Sequence, residues 1–351
     1  MQEVCIITGG AGFIGCALSS DLLSRFSGVV VLDNLHPQVH RERLRPRNLA
    51  DEVKFILGDV TDPSAWDALL NEFRPHTIIH LAAETGTGQS LTESRRHALV
   101  NVAGTSTMLD ALVRNKALPK QIVLTSSRAV YGEGQWLNKD GQRVSPGARS
   151  AKQLAAGVWD FPDLAYIPFS VADTPTLPTN VYAVTKLAQE HLLAVWAGSF
   201  DVSLDIARLQ NVYGPGQALH NPYTGIISTF ARLAKAGKPI ELFEDGEMQR
   251  DFVFIDDVVS ALLAAIDNPG QGARRFDVGI GSRHTIHDAA RILSARYQSP
   301  APFISGSYRL GDVRHAGCTI EPTTALLGWR PQHSLQYGLN LLCEWMDNND
   351  H

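Results

Sequence analysis

Tyr182 and Lys186 stand four residues apart at the head of the run Tyr182–Trp196. If that run is a helix, both side chains share one face. A lone phenol, with an ordinary pKa near about 10, is a poor base at neutral pH. An ammonium beside it stabilises the phenolate and brings proton transfer within reach. A hydroxyl from a nearby strand end would complete the set, and Ser127 in Thr125-Ser-Ser-Arg-Ala-Val-Tyr-Gly132 has that position. Tyr-x-x-x-Lys by itself is common, and a packed tyrosine with a solvated lysine would leave the same letters. The surrounding sequence gives the pair its meaning.

Upstream, Thr8-Gly-Gly-Ala-Gly-Phe-Ile-Gly15 falls between the apolar run Val4–Thr8 and the helical pattern Phe13–Phe26. In that setting Gly9 permits a tight turn and Gly12 admits a pyrophosphate close to the backbone. Gly15 lets the helix pack closely on the strand. Free amides and the helix dipole then favour a diphosphate. Asp33 closes the next strand, placed to accept hydrogen bonds from ribose hydroxyls and to repel a 2′-phosphate, which selects NAD over NADP. No Arg or Lys in the glycine loop or immediately after Asp33 reverses that preference. Asp59, in Gly58-Asp-Val60, is expected at the adenine edge; an ordinary turn aspartate is the competing account.

Short β-branched runs alternate with longer helical patterns over the first two-thirds of the chain, which predicts a doubly wound parallel α/β sheet of the Rossmann kind. The strands are expected at Val4–Thr8, Val29–Leu32, Val53–Leu57, Thr77–Leu81, Gln121–Thr125, Ser203–Arg208 and Asp251–Ile255. Long helices are expected at Arg95–Leu112 and Tyr182–Trp196. Gly132–Pro178 lacks periodicity, so it is expected to be a functional lid or locally disordered. Beyond Asn211, denser turn signals predict a smaller, irregular α/β substrate domain. The expected division is 1–208, with 251–270 returning to it, against 209–250 and 271–351. A net charge of −5 gives no pull toward nucleic acid or a membrane surface. No apolar run is long enough to span a bilayer. Four scattered cysteines read as reduced thiols of a cytoplasmic protein.

Taken together, these motifs resemble the extended short-chain dehydrogenase/reductase superfamily, in its NAD-dependent nucleotide-sugar epimerase and dehydratase branch. Further matching segments are His80-Leu-Ala-Ala83, Asn101-Val-Ala-Gly-Thr105, Arg208-Leu-Gln-Asn-Val-Tyr-Gly-Pro-Gly216, Arg250-Asp-Phe-Val-Phe-Ile-Asp-Asp257 and Arg309-Leu-Gly-Asp312. The resemblance implies cofactor contacts from Phe13, Ile14, Asn34, Val60, Leu81, Ala82, Ala83 and Asn101, with Tyr182 and Lys186. It implies a sugar pocket at Thr85 and Ser127, and a nucleotide diphosphate held by Asn211, Arg250 and Arg309. It also implies a homodimer through a four-helix bundle. His80 reads as a core histidine; Glu84 receives no role.

Relatives that eliminate water carry an acidic pair just after the strand-end hydroxyl, where this chain has Arg128 and Ala129. Reductases of the branch favour NADP, against Asp33. The double epimerases use a pocket cysteine, and this chain has no cysteine between Cys16 and Cys318. C4 epimerisation through a 4-keto sugar remains, with Tyr182 as the proton acceptor. Gly86-Thr-Gly-Gln-Ser90, the enlarged segment before Tyr182 and Gly214–Gly225 resemble the dTDP-L-rhamnose 4-epimerase group more than the UDP-galactose group. UDP-hexose or UDP-uronate epimerase, 4-keto-sugar reductase and a non-catalytic NAD sensor stand as alternatives. That group can carry a paired-cysteine knuckle in the insert; without it no zinc is expected here.

Overall fold

The computed structural model describes residues 3–219 and 225–349. Seven parallel strands form the central sheet: β1 (Val4–Thr8), β2 (Gly28–Asp33), β3 (Lys54–Leu57), β4 (Pro75–His80), β5 (Gln121–Ser127), β6 (Ser203–Leu209) and β7 (Ala273–Val278). Their order is β7-β6-β5-β4-β1-β2-β3. The direction of winding reverses between β1 and β4, which opens a crevice at the carboxyl ends of those strands.

Strand alternation builds two cores from one sequence. Cys5, Ile7, Val29, Val31, Ile79 and Val123 face a layer containing helices Phe13–Leu23 and Ile255–Asp267. Ile6, Val30, Leu32, Ile78, Ile122 and Leu124 face helices Pro63–Glu72, Thr105–Arg114 and Val181–Phe200. With both sheet faces covered, the strands read as apolar runs rather than alternating ones.

Two expectations are corrected and one is refined. The division at 271 placed Ala273–Val278 in the substrate lobe, but that segment is β7 and completes the main sheet beside β6. Its charges hid it. Arg274 pairs with the buried Asp205 at 2.6 Å, and Arg275 lies 3.6 Å from Glu190. The long helix expected at Arg95–Leu112 is present and runs from Ser94 to Arg114, with a π-helical stretch at Ala98–Gly104. At that wide turn the Thr105 hydroxyl donates to the Asn101 carbonyl (2.6 Å) and the Ser106 hydroxyl to that of Val102 (3.1 Å).

The third concerns the long insert, which has a defined fold of its own. Trp136–Leu137 pairs antiparallel with Arg143–Val144 and with Ala165–Tyr166, and a short helix spans Ala151–Ala155. Phe169 then pairs with the C-terminal lobe. Its N–H donates to the Gly317 carbonyl, and its carbonyl accepts from the Thr319 N–H, each at 2.8 Å. A buried ion network reinforces the junction. Arg149 meets Glu133 (3.3 Å) and Glu244 (2.8 Å), while Arg314 meets Asp160 (3.0 Å), Glu244 (3.1 Å) and Asp245 (2.7 Å).

The smaller lobe carries the pairing of Asn211–Tyr213 with Phe252–Phe254 and a three-stranded unit of His284–Thr285, Gln249–Arg250 and His315–Ala316. Helices Ile226–Lys235, Ile286–Tyr297 and Leu335–Asn348 cover it. The Asn221–Thr224 part of the Gly214–Gly225 motif lies outside the described residues.

Candidate active site

The glycine loop turns tightly: the Gly9 N–H donates to the Leu32 carbonyl (2.9 Å) and the Gly12 N–H to the Gly9 carbonyl (3.1 Å). Gly9 has φ +67°, and a Cβ there would sit 2.7 Å from the backbone of Ala82. At Gly15 a Cβ would lie 2.4 Å from the Gly10 carbonyl oxygen. Gly12 caps the helix opening at Phe13-Ile14 without a side-chain acceptor, so the first amides stay available to an anion.

Asp33 is buried and accepts from the Ala11 N–H (3.0 Å) and the Leu35 N–H (2.8 Å). Burial raises its pKa; those two amides and His40 oppose the rise. Each oxygen keeps a second lone pair, and Asp33 lines an open cleft. Gly9, Gly12, Asn34, Val60, Leu81, Ala82, Ala83 and Thr85 line the same cleft. Asn34 donates to Asp59 at 2.9 Å. Although burial works against it, this bond and those from Thr61 hold the Asp59 carboxyl below its ordinary range. The cradle fits a dinucleotide: glycines where a Cβ would collide, an uncapped helix start and a carboxylate at the ribose position.

Asn101 is fully buried and its amide is engaged by protein. It accepts from the Glu84 N–H (2.7 Å) and donates to the Glu84 carbonyl (3.0 Å) and the Thr185 hydroxyl (2.9 Å). Its direct work is to pin the loop after β4 against the catalytic helix. Glu84, unassigned from sequence, forms a 2.7 Å ion pair with Arg96.

Helix Val181–Phe200 is capped by Asn180, whose side chain accepts from the Ala183 N–H (2.9 Å). That cap starts the helix one residue before Tyr182. Ser127 ends β5, its hydroxyl accepting from the Ala129 N–H (3.2 Å) and lying beside the Tyr182 phenol. Burial raises the phenol's pKa, while Ser127 and the Arg128 guanidinium pull it down.

Lys186 lies one turn further along the same helix, and its Nζ donates to Gln189 Oε1 at 2.6 Å. Burial pushes the ammonium down to about 7, against Glu190. Gln189 in turn donates to Thr105 Oγ1 (2.9 Å), which lies 3.0 Å from His80 Nε2. His80 is buried and pushed down to about 3, so it is a neutral core histidine bracing this chain of hydrogen bonds. Sequence reasoning missed Gln189; its spacing of three from Lys186 on a helix was the available signal.

On the substrate side, Asn211 Oδ1 accepts from Arg128 Nε at 3.1 Å. Arg250 is buried and donates to the Gln249 (2.7 Å), Arg314 (3.1 Å) and Val313 (3.0 Å) carbonyls. Arg309 lies exposed over the Phe243 ring at 5.0 Å. Thr85 is exposed at the cleft, beside the loop that Asn101 pins. These groups can transfer a proton at a carbinol and hold a polyanion nearby.

A parallel sheet with a dinucleotide cradle and a Ser–Tyr–Lys set defines an NAD-linked enzyme that works on an alcohol carbon. The NAD dependent epimerase/dehydratase family matches residues 5–151 and 160–281, and the chain belongs to that family. Among its relatives, it is 52% identical to the dTDP-L-rhamnose 4-epimerase of Burkholderia thailandensis over 341 residues, 97% of this chain and 94% of that one. It is 30% identical to the UDP-glucose 4-epimerase of Mycolicibacterium smegmatis, covering 98% of each. Among solved structures, the UDP-glucose 4-epimerase of Thermus thermophilus in complex with NAD matches at TM-score 0.78 and 28% identity. That match covers 99% of this chain and all of the other.

Proposed function

We propose that the chain is an NAD-dependent 4-epimerase that interconverts dTDP-L-rhamnose and dTDP-6-deoxy-L-talose. One observation carries this reading: 52% identity across nearly the whole length of a dTDP-L-rhamnose 4-epimerase, against 30% or less for the UDP-sugar epimerases compared. The site chemistry agrees. Ser127, Tyr182 and Lys186 are all present, and Arg128 and Ala129 supply no acid pair for eliminating water.

The residues divide the work as follows. The Gly9–Gly15 loop, Asp33 and the lining of the cleft hold the cofactor, with Lys186 at its nicotinamide ribose. Bound NAD supplies a reversible hydride acceptor for C4. Tyr182 takes the O4 proton, with Ser127 hydrogen-bonded to the same oxygen. Asn211, Arg250 and Arg309 hold the diphosphate while the 4-keto sugar turns over, so that Tyr182 returns the proton to the inverted alcohol.

Exposed Leu99, Val113, Val184 and Val195 on the two long helical segments support a homodimer through a four-helix bundle. Four unpaired, buried cysteines support a reducing, cytoplasmic setting. Among the described residues no helix is long and apolar enough to cross a membrane. Incubation with dTDP-L-rhamnose, followed by NMR, should reveal the talose epimer at equilibrium. Inversion of UDP-glucose but not of dTDP-L-rhamnose would overturn the substrate assignment; inversion of neither would overturn the epimerase reading.

A further inference from the structure

Most buried guanidinium groups near the site have carboxylate partners. Arg149, Arg208 and Arg314 each lie within 3.3 Å of one. Arg128 differs. It is half-buried, and its hydrogen bond within the protein goes to a neutral oxygen, Asn211 Oδ1 at 3.1 Å. Among the described residues no carboxylate lies within ion-pair distance of it. The groups bearing on it are a second cation, Arg250, then Asp312 and the phenols of Tyr166 and Tyr182. A half-buried cation near a second cation and without a counter-ion is well placed to take up an anion.

The position is equally specific. Arg128 follows Ser127, which lies beside the Tyr182 phenol, and opens the short 3₁₀ turn Arg128–Tyr131. Its Nε is fixed by Asn211, the first residue of the strand Asn211–Tyr213 in the smaller lobe. One side chain therefore links the end of β5 to the first strand of the smaller lobe.

We propose that Arg128 is a further catalytic residue of this enzyme: it stabilises the Tyr182 phenolate in the free holoenzyme and hydrogen-bonds the sugar-proximal phosphate once a nucleotide sugar binds. This rests on the epimerase reading above and adds a site residue to it. Three groups face the phenol. Ser127 comes from β5 and Arg128 from the 3₁₀ turn; Lys186, on the phenol's own helix, is turned to Gln189. Burial and Arg250 bring the Arg128 guanidinium down to about 10, consistent with a cation whose partner is supplied by a ligand.

The test uses the NAD-loaded enzyme and dTDP, which binds the diphosphate site without undergoing reaction. The Tyr182 titration is read as the tyrosinate absorbance difference against Tyr182→Phe. In Arg128→Met the phenol should titrate about one pH unit higher, and dTDP should bind roughly 10- to 100-fold more weakly. Arg128→Lys should restore the titration but only part of the affinity, because an ammonium lacks the planar fork. In the unmodified protein, saturating dTDP should raise the phenol's titration as phosphate takes up the arginine's charge. That measurement stands even if the variants fail to fold. An unchanged titration on adding dTDP, or unchanged dTDP affinity in Arg128→Met, would overturn the proposal. If both effects appear but dTDP-L-rhamnose is not inverted, the substrate reading fails and this one survives.

Discussion

Replacing Gln189 with leucine should change the pH profile rather than simply lower activity. Lys186 is held by one hydrogen bond, 2.6 Å to Gln189 Oε1, and burial has already pushed its ammonium down to about 7. A hydrogen bond to a charged group is worth about 1.5–3 kcal/mol, and about 1.4 kcal/mol corresponds to one pH unit. Losing the acceptor should therefore lower the lysine's titration by a further 1–2 pH units or so. The sign follows from which form is useful. If the ammonium is the active form, activity is lost as pH rises past its pKa, and a lower pKa brings that loss on earlier. At pH near 5.5 the variant should keep roughly half of the native kcat/KM, and by pH 8 it should fall about 10- to 100-fold below it. Gln189→Glu should move the descending limb the other way, because a carboxylate favours the ammonium. The assay is C4 inversion followed by NMR in buffers of constant ionic strength. A loss of equal size at every pH would show that Gln189 only packs, and would refute the reasoning.

Other outcomes follow from the same structure. Tyr182→Phe should lose about 10²–10⁴ in kcat while keeping its NAD, measured as turnover and as cofactor released on denaturation. Gly9→Ala places a Cβ 2.7 Å from the Ala82 backbone at φ +67°. It should purify with little NAD and melt at a lower temperature, with backbone strain alone costing about 1–2 kcal/mol. Glu190→Gln removes the acceptor of Arg208 (2.7 Å) and of the Ser126 hydroxyl (2.6 Å), leaving a buried cation exposed to a neutral amide. It should destabilise by about 3–5 kcal/mol in a denaturant titration at pH 7.

The parallel strands were legible because burial on both faces leaves no choice but apolar residues, as in Val-Cys-Ile-Ile-Thr and Gly-Val-Val-Val-Leu-Asp. β7 was not, since Ala-Arg-Arg-Phe-Asp-Val satisfies its charges against Asp205, Glu190 and Tyr131 rather than by exposure. The insert was opaque for a related reason. Its order depends on Arg149 meeting Glu244 and on Phe169 pairing beside Cys318, and no local pattern records such distant partners. At the site, Ser127, Tyr182 and the glycine loop could be read because their chemistry requires particular residue types at fixed spacing. Gln189 was not legible: a helix face says which side chains are neighbours, and says nothing of where the Lys186 ammonium finds its acceptor.

The junction between the insert and the C-terminal lobe also has a consequence for biosynthesis. The Arg314 N–H that donates to Glu133 lies 181 residues further along the chain. At typical elongation rates of about 5–20 residues per second, that gap takes roughly 10–40 s to translate. Throughout that interval the nascent insert holds charges whose partners have not left the ribosome. The cofactor lobe's first six strands can already pair, but the insert can fold into place only after its C-terminal partners emerge. Shortening the chain before Arg314 should therefore leave the insert a target for proteases, even where the sheet has formed.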